Sequence, residues 1–290
     1  MADTRRKQCT LALGGGGARG IAHLGVLAEL EQLQIPIKAI AGSSMGSIIG
    51  GLFAYFGNTK EAGEFLNYLL HSQEFKDLNV SVFSSKKRNY SYFNLHRTFQ
   101  KYYSYSRFFH KTSVVEQEKV NALEKLLPKA KIEELKVPFF AIATNYFTGE
   151  EYIWEKGSLA KAMISSSSIP GVFPPQRKGK MLLIDGGVCD LVPVHVLKER
   201  YPKTTTIAVD VERDIQVTKE PTSALEVIRQ SEYIQFHHLT QLRMRHADII
   251  LQPQVKKYTW ADFNRADCFF KKGKVAVQEK LPSIKKLLQP

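Results

Sequence analysis

The sequence predicts an α/β fold built around a mostly parallel β-sheet. Short apolar runs of strand length alternate with segments of helical periodicity, as they do in sheets whose faces are covered by helices. Two strand-to-helix connections are rich in glycine, LGGGGARG at residues 13–20 and AGSSMGS at residues 41–47. No internal repeat and no long Pro-, Gly- or Ser-rich linker interrupts the alternation. We therefore expect residues 1–290 to form one domain.

The apolar runs predict six strands, at residues 9–13, 37–41, 137–144, 181–184, 206–211 and 249–251. A helix at residues 21–33 is predicted because Ile21, Leu24, Leu27 and Leu33 recur at roughly helical spacing. Further helices are predicted at residues 45–56, 116–127, 157–166 and 222–245. Both glycine-rich connections therefore lie between a strand and the helix that follows it.

The composition is that of a globular protein with a strongly basic surface. Hydrophobic residues make up 43% of the chain and charged residues 24%, so a sizeable core can form. The formal net charge is +13, which favours polyanionic partners such as anionic lipid, nucleic acid or an acidic protein. The charge does not choose among these partners.

Three cysteines, Cys9, Cys189 and Cys268, are far apart and lack the spacing of metal ligands. We expect reduced thiols, a cytoplasmic location, and no bound metal or other cofactor. The apolar run before the first glycines is too short for a signal peptide. No run approaches the roughly 20 apolar residues that a membrane-spanning helix needs.

The first glycine-rich connection has two candidate roles. Residues 15–20 match G-x-G-x-x-G, but no carboxylate ends the second predicted strand to hold a ribose, and no G-K-[ST] follows the glycines. Glycines ahead of a helix also turn backbone N–H groups toward one point, where they stabilise an oxyanion. We therefore predict an oxyanion hole formed by Gly15, Gly16, Gly17, Ala18, Arg19 and Gly20. The Arg19 side chain braces this loop, binds an anionic head group or forms a surface ion pair.

The second connection reads G-x-S-x-G between a strand and a helix, which is the context of a nucleophile elbow. Ser44 is its middle residue and the candidate nucleophile, because such a turn projects the hydroxyl away from the sheet. The other residues of the predicted elbow are Gly42, Ser43, Met45 and Gly46.

A serine nucleophile needs a proton acceptor. One candidate is Asp185, which follows a short buried strand and precedes Gly186 and Gly187. Burial beside apolar neighbours raises the pKa of an aspartate from about 3.9 toward values useful for a base. The other candidate is a Ser-His-Asp triad that combines Asp185 with His195 or His246. The residue pattern leaves both arrangements open.

Together these motifs resemble those of the patatin-like phospholipases. The match comprises GGGARG at residues 15–20, GSSMG at residues 42–46 and DGG at residues 185–187, in this order. Three further stretches are similar to the family, at residues 165–175, 248–253 and 260–273. The resemblance runs over nearly the whole chain, and the joint pattern is far more specific than any single motif.

The resemblance implies a three-layer α/β/α sandwich and a Ser-Asp dyad without a catalytic histidine. Ser44 would attack the ester, Asp185 would accept its proton, and N–H groups of the glycine loop would hold the oxyanion. The implied activity is lipid acyl hydrolysis of the phospholipase A or lysophospholipase type, through an acyl-enzyme intermediate. An acyltransferase or thioesterase on the same dyad, and a catalytically silent lipid-binding protein, are the alternatives.

Residues 78–115 differ from the rest of the chain because they contain no acidic residue. Seven Lys or Arg residues are interleaved there with Tyr and Phe, which predicts a cap inserted into the domain. We hypothesise that this cap binds peripherally to an anionic membrane. A basic face packed over aromatics is the alternative, and single-stranded nucleic acid is not expected, since no recognised nucleic-acid-binding module surrounds the segment.

Overall fold

The computed structural model describes residues 8–80, 110–212, 215, 220–255 and 257–288. The strands in these residues are β1 (Cys9–Leu13), β2 (Ile37–Ser43), β3 (Phe139–Asn145), β4 (Glu151–Trp154), β5 (Gln176–Lys178), β6 (Met181–Asp185), β7 (Thr205–Val209) and β8 (Ile249–Leu251). They form one mixed sheet in the order β5-β6-β3-β2-β1-β7-β8, with β4 also paired to β3.

The helices are α1 (Ala22–Gln32), α2 (Met45–Phe56), α3 (Thr59–His71), α4 (Gln73–Asp77), α5 (Gln117–Leu126), α6 (Leu159–Ser166), α7 (Val194–Arg200), α8 (Ala224–Met244) and α9 (Ala266–Leu288). Two short 3₁₀ helices, Gly17–Ile21 and Gly186–Val188, follow the glycine loop and the predicted base. None of the helices in the described ranges is long and apolar enough to cross a membrane.

The predicted fold class is confirmed, and the predicted strands and helices are present with ends shifted by at most two residues. Strands β1, β2, β3, β7 and β8 run parallel, whereas β4 and β6 run antiparallel to β3. The five parallel strands end at the same edge of the sheet, here called the carboxyl edge. Both glycine-rich connections lie at that edge.

Helices cover both faces of the sheet because successive strand residues point to opposite sides. Leu11 and Phe139 face one apolar cluster, which includes side chains of α1, α2, α6 and α9. Ala12 and Phe140, their neighbours along the same strands, face a second cluster with α7 and the end of α8. The result is a three-layer α/β/α arrangement.

Most of the predicted cap lies outside the described residues, which include only 78–80 and 110–115 of it. Leu78, Val80 and Val115 are buried in the core at its two ends. The cap's proposed membrane contact therefore stays a prediction.

Helices α1 and α9 cross so closely that each has a glycine at the contact. A Cβ atom on Gly25 would overlap the carbonyl of Phe270, and one on Gly273 would overlap the carbonyl of Ala22. Near the crossing, the buried Glu29 carboxylate lies 3.1 Å from the Lys274 ammonium. The long C-terminal helix is thereby held against the layer that carries the glycine loop.

Gly273→Ala should therefore lower the free energy of unfolding by about 2 kcal/mol or more, because the two helices must separate to admit a methyl group. Urea unfolding followed by circular dichroism measures the change. Gly63→Ala in α3 is the matched control, since its Cβ would meet only the Leu24 Cδ2 atom, at 3.2 Å, and that side chain can shift. Equal stability of the two variants would contradict the close crossing.

Candidate active site

Ser44 occupies the turn between β2 and α2 in a strained backbone conformation. Its φ is 52° and its ψ is −124°, a combination that residues with a side chain rarely adopt. The turn is tight because a Cβ on Gly46 would overlap the Leu13 carbonyl and one on Gly42 would overlap the Gly46 carbonyl. These two glycines let the first turn of α2 lie directly on the ends of the strands. Met45, the first residue of α2, and Ser43, the last of β2, flank Ser44.

Hydrogen bonds fix this turn from both sides. The Ser44 N–H donates to the Ser166 carbonyl oxygen at 3.1 Å and to its Oγ at 3.0 Å. The Ser47 hydroxyl donates to the Ser44 carbonyl oxygen at 2.7 Å. The backbone of Ser44 is thus held, while its side chain lies in the wall of a pocket.

Strand register brings Asp185 to the level of Ser44. Ser43 pairs with Ile142 of β3, and the next residue of β3, Ala143, pairs with Asp185 at the end of β6. After Asp185 the chain turns through Gly186 and Gly187, and a Cβ on Gly186 would lie 2.8 Å from the Ser43 hydroxyl oxygen. The predicted elbow and the predicted base loop are therefore in contact.

The Asp185 carboxyl is buried and sparsely hydrogen-bonded. Its Oδ1 accepts the Gly187 N–H at 2.7 Å, whereas Oδ2 has no hydrogen-bond partner among the described residues. Burial raises the pKa of Asp185 to about 6, an effect that the nearby Ser44 side chain and the Gly187 N–H only partly offset. The carboxyl is therefore ionised at neutral pH and has one oxygen available to take a proton.

The glycine loop lies beside Ser44, and its N–H groups divide into two sets. Gly15 donates to the Leu191 carbonyl at 3.1 Å and Ala18 donates to the Trp260 carbonyl at 2.7 Å. These two predicted oxyanion donors are therefore engaged in bonds within the protein. The N–H groups of Gly16 and Gly17 donate to no acceptor in the described part of the chain. Gly17 lines the same pocket as Ser44.

Arg19 braces the glycine loop from within the protein. Its side chain is 3% exposed, and one guanidinium nitrogen lies 2.8 and 2.9 Å from the two carboxylate oxygens of Glu212. The Arg19 Nε also donates to the Gly16 carbonyl at 3.3 Å. Of the three roles predicted for this side chain, bracing is the one that the geometry supports. Gly20 follows Arg19 in the 3₁₀ helix.

An apolar pocket opens beside Ser44. Its walls come from separate segments of the chain and are almost entirely hydrocarbon. The lining side chains include Ile48, Phe75, Leu78, Val120, Leu123, Ile164, Phe173, Trp260 and Phe263. A chain of methylene groups fits such a lining, since apolar pockets with few polar groups bind apolar ligands.

Neither histidine considered for a triad has the contacts of a triad base. His195 Nδ1 lies 2.8 Å from Asp190 and its Nε2 lies 3.2 Å from Glu151, and these carboxylates raise the pKa of His195 to about 10. An imidazolium cannot accept a proton. His246 is exposed and precedes β8, so it lies at the edge of the sheet opposite to Ser44.

Sequence patterns miss the pocket and the Glu212 partner of Arg19. The pocket walls are drawn from positions as distant as Ile48 and Phe263, and no local periodicity reports that they meet. Ser166 lies in the stretch at residues 165–175 that resembles the family, so its position near the site could be predicted from sequence. Its hydrogen bonds to the Ser44 N–H could not.

The raised pKa of Asp185 predicts a stability change on substitution. A carboxyl whose pKa rises from 3.8 to about 6 on folding costs stability as the pH rises through that interval. Asp185→Asn keeps an acceptor for the Gly187 N–H and removes the buried charge, so it should be more stable than wild type at pH 8 by up to about 3 kcal/mol. Thermal unfolding at pH 8 and pH 4 measures this, and the advantage should shrink toward pH 4. A variant that is no more stable than wild type at pH 8 would contradict the buried charge.

Comparison with known proteins identifies the family. A family model described as patatin-like phospholipase matches residues 11–198. An uncharacterized NTE family protein of Mycobacterium tuberculosis is 31% identical over 185 residues, which cover 63% of this chain and 44% of that protein. The lysophospholipase NTE1 of Candida albicans is 31% identical over 203 residues, covering 69% of this chain and 13% of that protein.

The chain thus spans less than half the length of these two relatives. Among solved structures, VipD from Legionella pneumophila has the same fold, with a TM-score of 0.51 and 14% identity over 96% of this chain and 67% of that one. The family model covers more than half of the chain and includes both the turn with Ser44 and the loop with Asp185. On this evidence, the chain belongs to the patatin-like phospholipase family.

Proposed function

We propose that this chain hydrolyses lipid acyl esters with Ser44 as nucleophile and Asp185 as general base. The observation that carries the proposal is the apolar pocket that has Ser44 and Gly17 in its wall. An acyl chain lying in this pocket would present its ester carbonyl to the Ser44 hydroxyl. Family membership and the lysophospholipase name of the Candida relative support a lipid ester as substrate.

The reaction would proceed by two acyl transfers. Asp185 Oδ2 takes the proton of the Ser44 hydroxyl while Oγ attacks the ester carbonyl, and the carbonyl oxygen becomes an oxyanion. The alcohol then leaves with the proton that Asp185 returns to it, which gives an acyl-enzyme. Water attacks the acyl-enzyme as it transfers a proton to Asp185. The fatty acid is released when Ser44 regains that proton.

The oxyanion would be stabilised by the N–H groups of Gly16 and Gly17. These donors lie in the loop beside Ser44 and ahead of a short helix, and both are without an acceptor in the described residues. Losing one donor of this kind costs roughly 3 kcal/mol of transition-state stabilisation. The buried pair of Arg19 and Glu212 keeps the loop in place without touching the reacting atoms.

Substitutions at the two proposed catalytic residues should abolish hydrolysis of acyl esters. Ser44→Ala and Asp185→Asn should each lower kcat/KM by about 10³-fold or more, since each removes a group that reacts directly. His246→Ala is the matched control and should retain the wild-type rate. Release of fatty acid from a panel of lysophospholipids and simple esters measures the effect.

A pH profile tests whether an ionised base is needed, and an added alcohol tests for acyl transfer. The wild-type rate should fall as the pH drops below about 6, because Asp185 must be ionised to act as a base. A product ester formed when an alcohol is added would instead indicate acyl transfer. Loss of activity in His246→Ala would support a Ser-His-Asp triad and contradict the Ser-Asp dyad.

The pocket should determine the length of the acyl chain that is accepted. Leu123→Trp in α5 would fill part of the pocket with a larger ring. We expect this variant to hydrolyse long-chain esters about tenfold more slowly or worse, which corresponds to an activation free energy higher by about 1.4 kcal/mol. Short-chain esters should react as in wild type. A parallel loss for both chain lengths would show that the pocket does not hold the acyl group.

A further inference from the structure

Two β-hairpins extend beyond Ser44 at the carboxyl edge. Residues 146–150 join β3 to β4, and residues 179–180 join β5 to β6. Because β6 runs antiparallel to β3, the first residues of β6 lie beside the end of β3, and the Tyr146 N–H donates to the Leu182 carbonyl at 2.7 Å. The two turns are therefore neighbours. They lie on the order of 10 Å past the level of Ser44, given a rise of about 3.3 Å per strand residue.

The tip of the first hairpin exposes two aromatic rings. Tyr146 is 62% exposed and Phe147 is 60% exposed. Their rings pack edge to face on each other, with centroids 5.8 Å apart. Two exposed aromatic rings in contact form an apolar patch at this turn, and such patches mark interaction sites more often than single exposed apolar side chains do. Tyr and other amphipathic or aromatic rings are favoured at the headgroup level of a bilayer.

The second hairpin is cationic. It carries Arg177, Lys178 and Lys180, of which the Lys178 ammonium lies over the Trp154 ring at 4.3 Å from the centroid. Arg177 and Lys178 also line an open groove together with Lys161, and Glu124 is the carboxylate in the described lining. At the first hairpin, Glu150 accepts a hydrogen bond from the Thr148 hydroxyl at 3.0 Å. The two tips, residues 146–150 and 177–180, therefore present two exposed cations, Arg177 and Lys180, beside Glu150, while Glu116 and Glu118 line a second open groove with Arg177.

We propose that the tips of these two hairpins dock the protein on an anionic phospholipid bilayer. Aromatic rings that enter the headgroup layer beside cations that face lipid phosphates match such a surface, and each cation near it adds attraction. Docking by these tips turns the carboxyl edge, with Ser44, toward the bilayer that holds the substrate. The inference builds on the proposed function, and the surface adjoins the predicted cap, since Lys111 of the cap lines an open groove together with Arg177.

Vesicle binding of the full chain carrying Ser44→Ala tests the docking without hydrolysis. The probes are vesicles of phosphatidylcholine alone and of phosphatidylcholine mixed with phosphatidylglycerol. Adding Arg177→Glu and Lys180→Glu should weaken binding to the mixed vesicles by about tenfold or more, because two cations are lost and two anions are gained. Adding Tyr146→Ser and Phe147→Ser should weaken binding to both kinds of vesicle.

The matched control reverses two exposed lysines at the opposite edge of the sheet, Lys38→Glu and Lys203→Glu, with the same change in net charge. The control should bind mixed vesicles nearly as well as the parent protein. Tip variants that bind as tightly as the parent, or a control that loses as much as they do, would overturn the proposal.

A second readout separates docking from catalysis. With Ser44 restored, the tip variants should hydrolyse a water-soluble short-chain ester at the wild-type rate and vesicle lipid more slowly. Equal loss on both substrates would mean that the tips act through the site and would overturn docking. If the parent hydrolyses neither substrate, the proposed function fails, and the vesicle-binding comparison still decides the docking.

Discussion

The structure depends on one steric constraint, the contact between the first turn of α2 and the ends of β1 and β2. Gly42 and Gly46 permit this contact, because a side chain at either position would overlap a carbonyl group. The close approach leaves no room for a relaxed turn, so Ser44 adopts its positive φ, a strain of order 1–3 kcal/mol. Packing of the buried helix on the sheet and the hydrogen bonds to Ser166 hold the strained residue in place.

Two buried aspartates a few residues apart show how surroundings determine what a carboxylate can do. Asp190 lies 2.8 Å from His195 of α7 and 3.2 Å from Arg243 of α8, so two cationic groups flank it and it links these two helices. Asp185 has one backbone N–H and a neighbouring hydroxyl, and in the described part of the chain no cation contributes to its pKa. The first arrangement suits a structural role, whereas the second suits proton transfer.

The local features of this fold could be predicted from sequence, and the long-range ones could not. Helix α2 was predicted to the residue because its apolar run begins at the glycine turn and ends at Gly57. Strands β4 and β5 were missed because they are only four and three residues long and most of their side chains are partly exposed. Ser44, Asp185 and the glycine loop were predicted as site residues from motifs. The division of that loop into engaged and available N–H groups was not, since it depends on carbonyls of Leu191 and Trp260, far away in the chain.

The antiparallel register of β6 has a consequence for how such a protein can diversify. Ser44 and Asp185 are placed by strands that both pair with β3, so their relative position does not depend on the connection between α4 and α5. Phe75 of α4 and Leu123 of α5 line the pocket, so substitutions at these two residues change the shape of the pocket beside Ser44. Sequence change in this part of the chain can thus alter the pocket without displacing Ser44 or Asp185 from the strands that hold them.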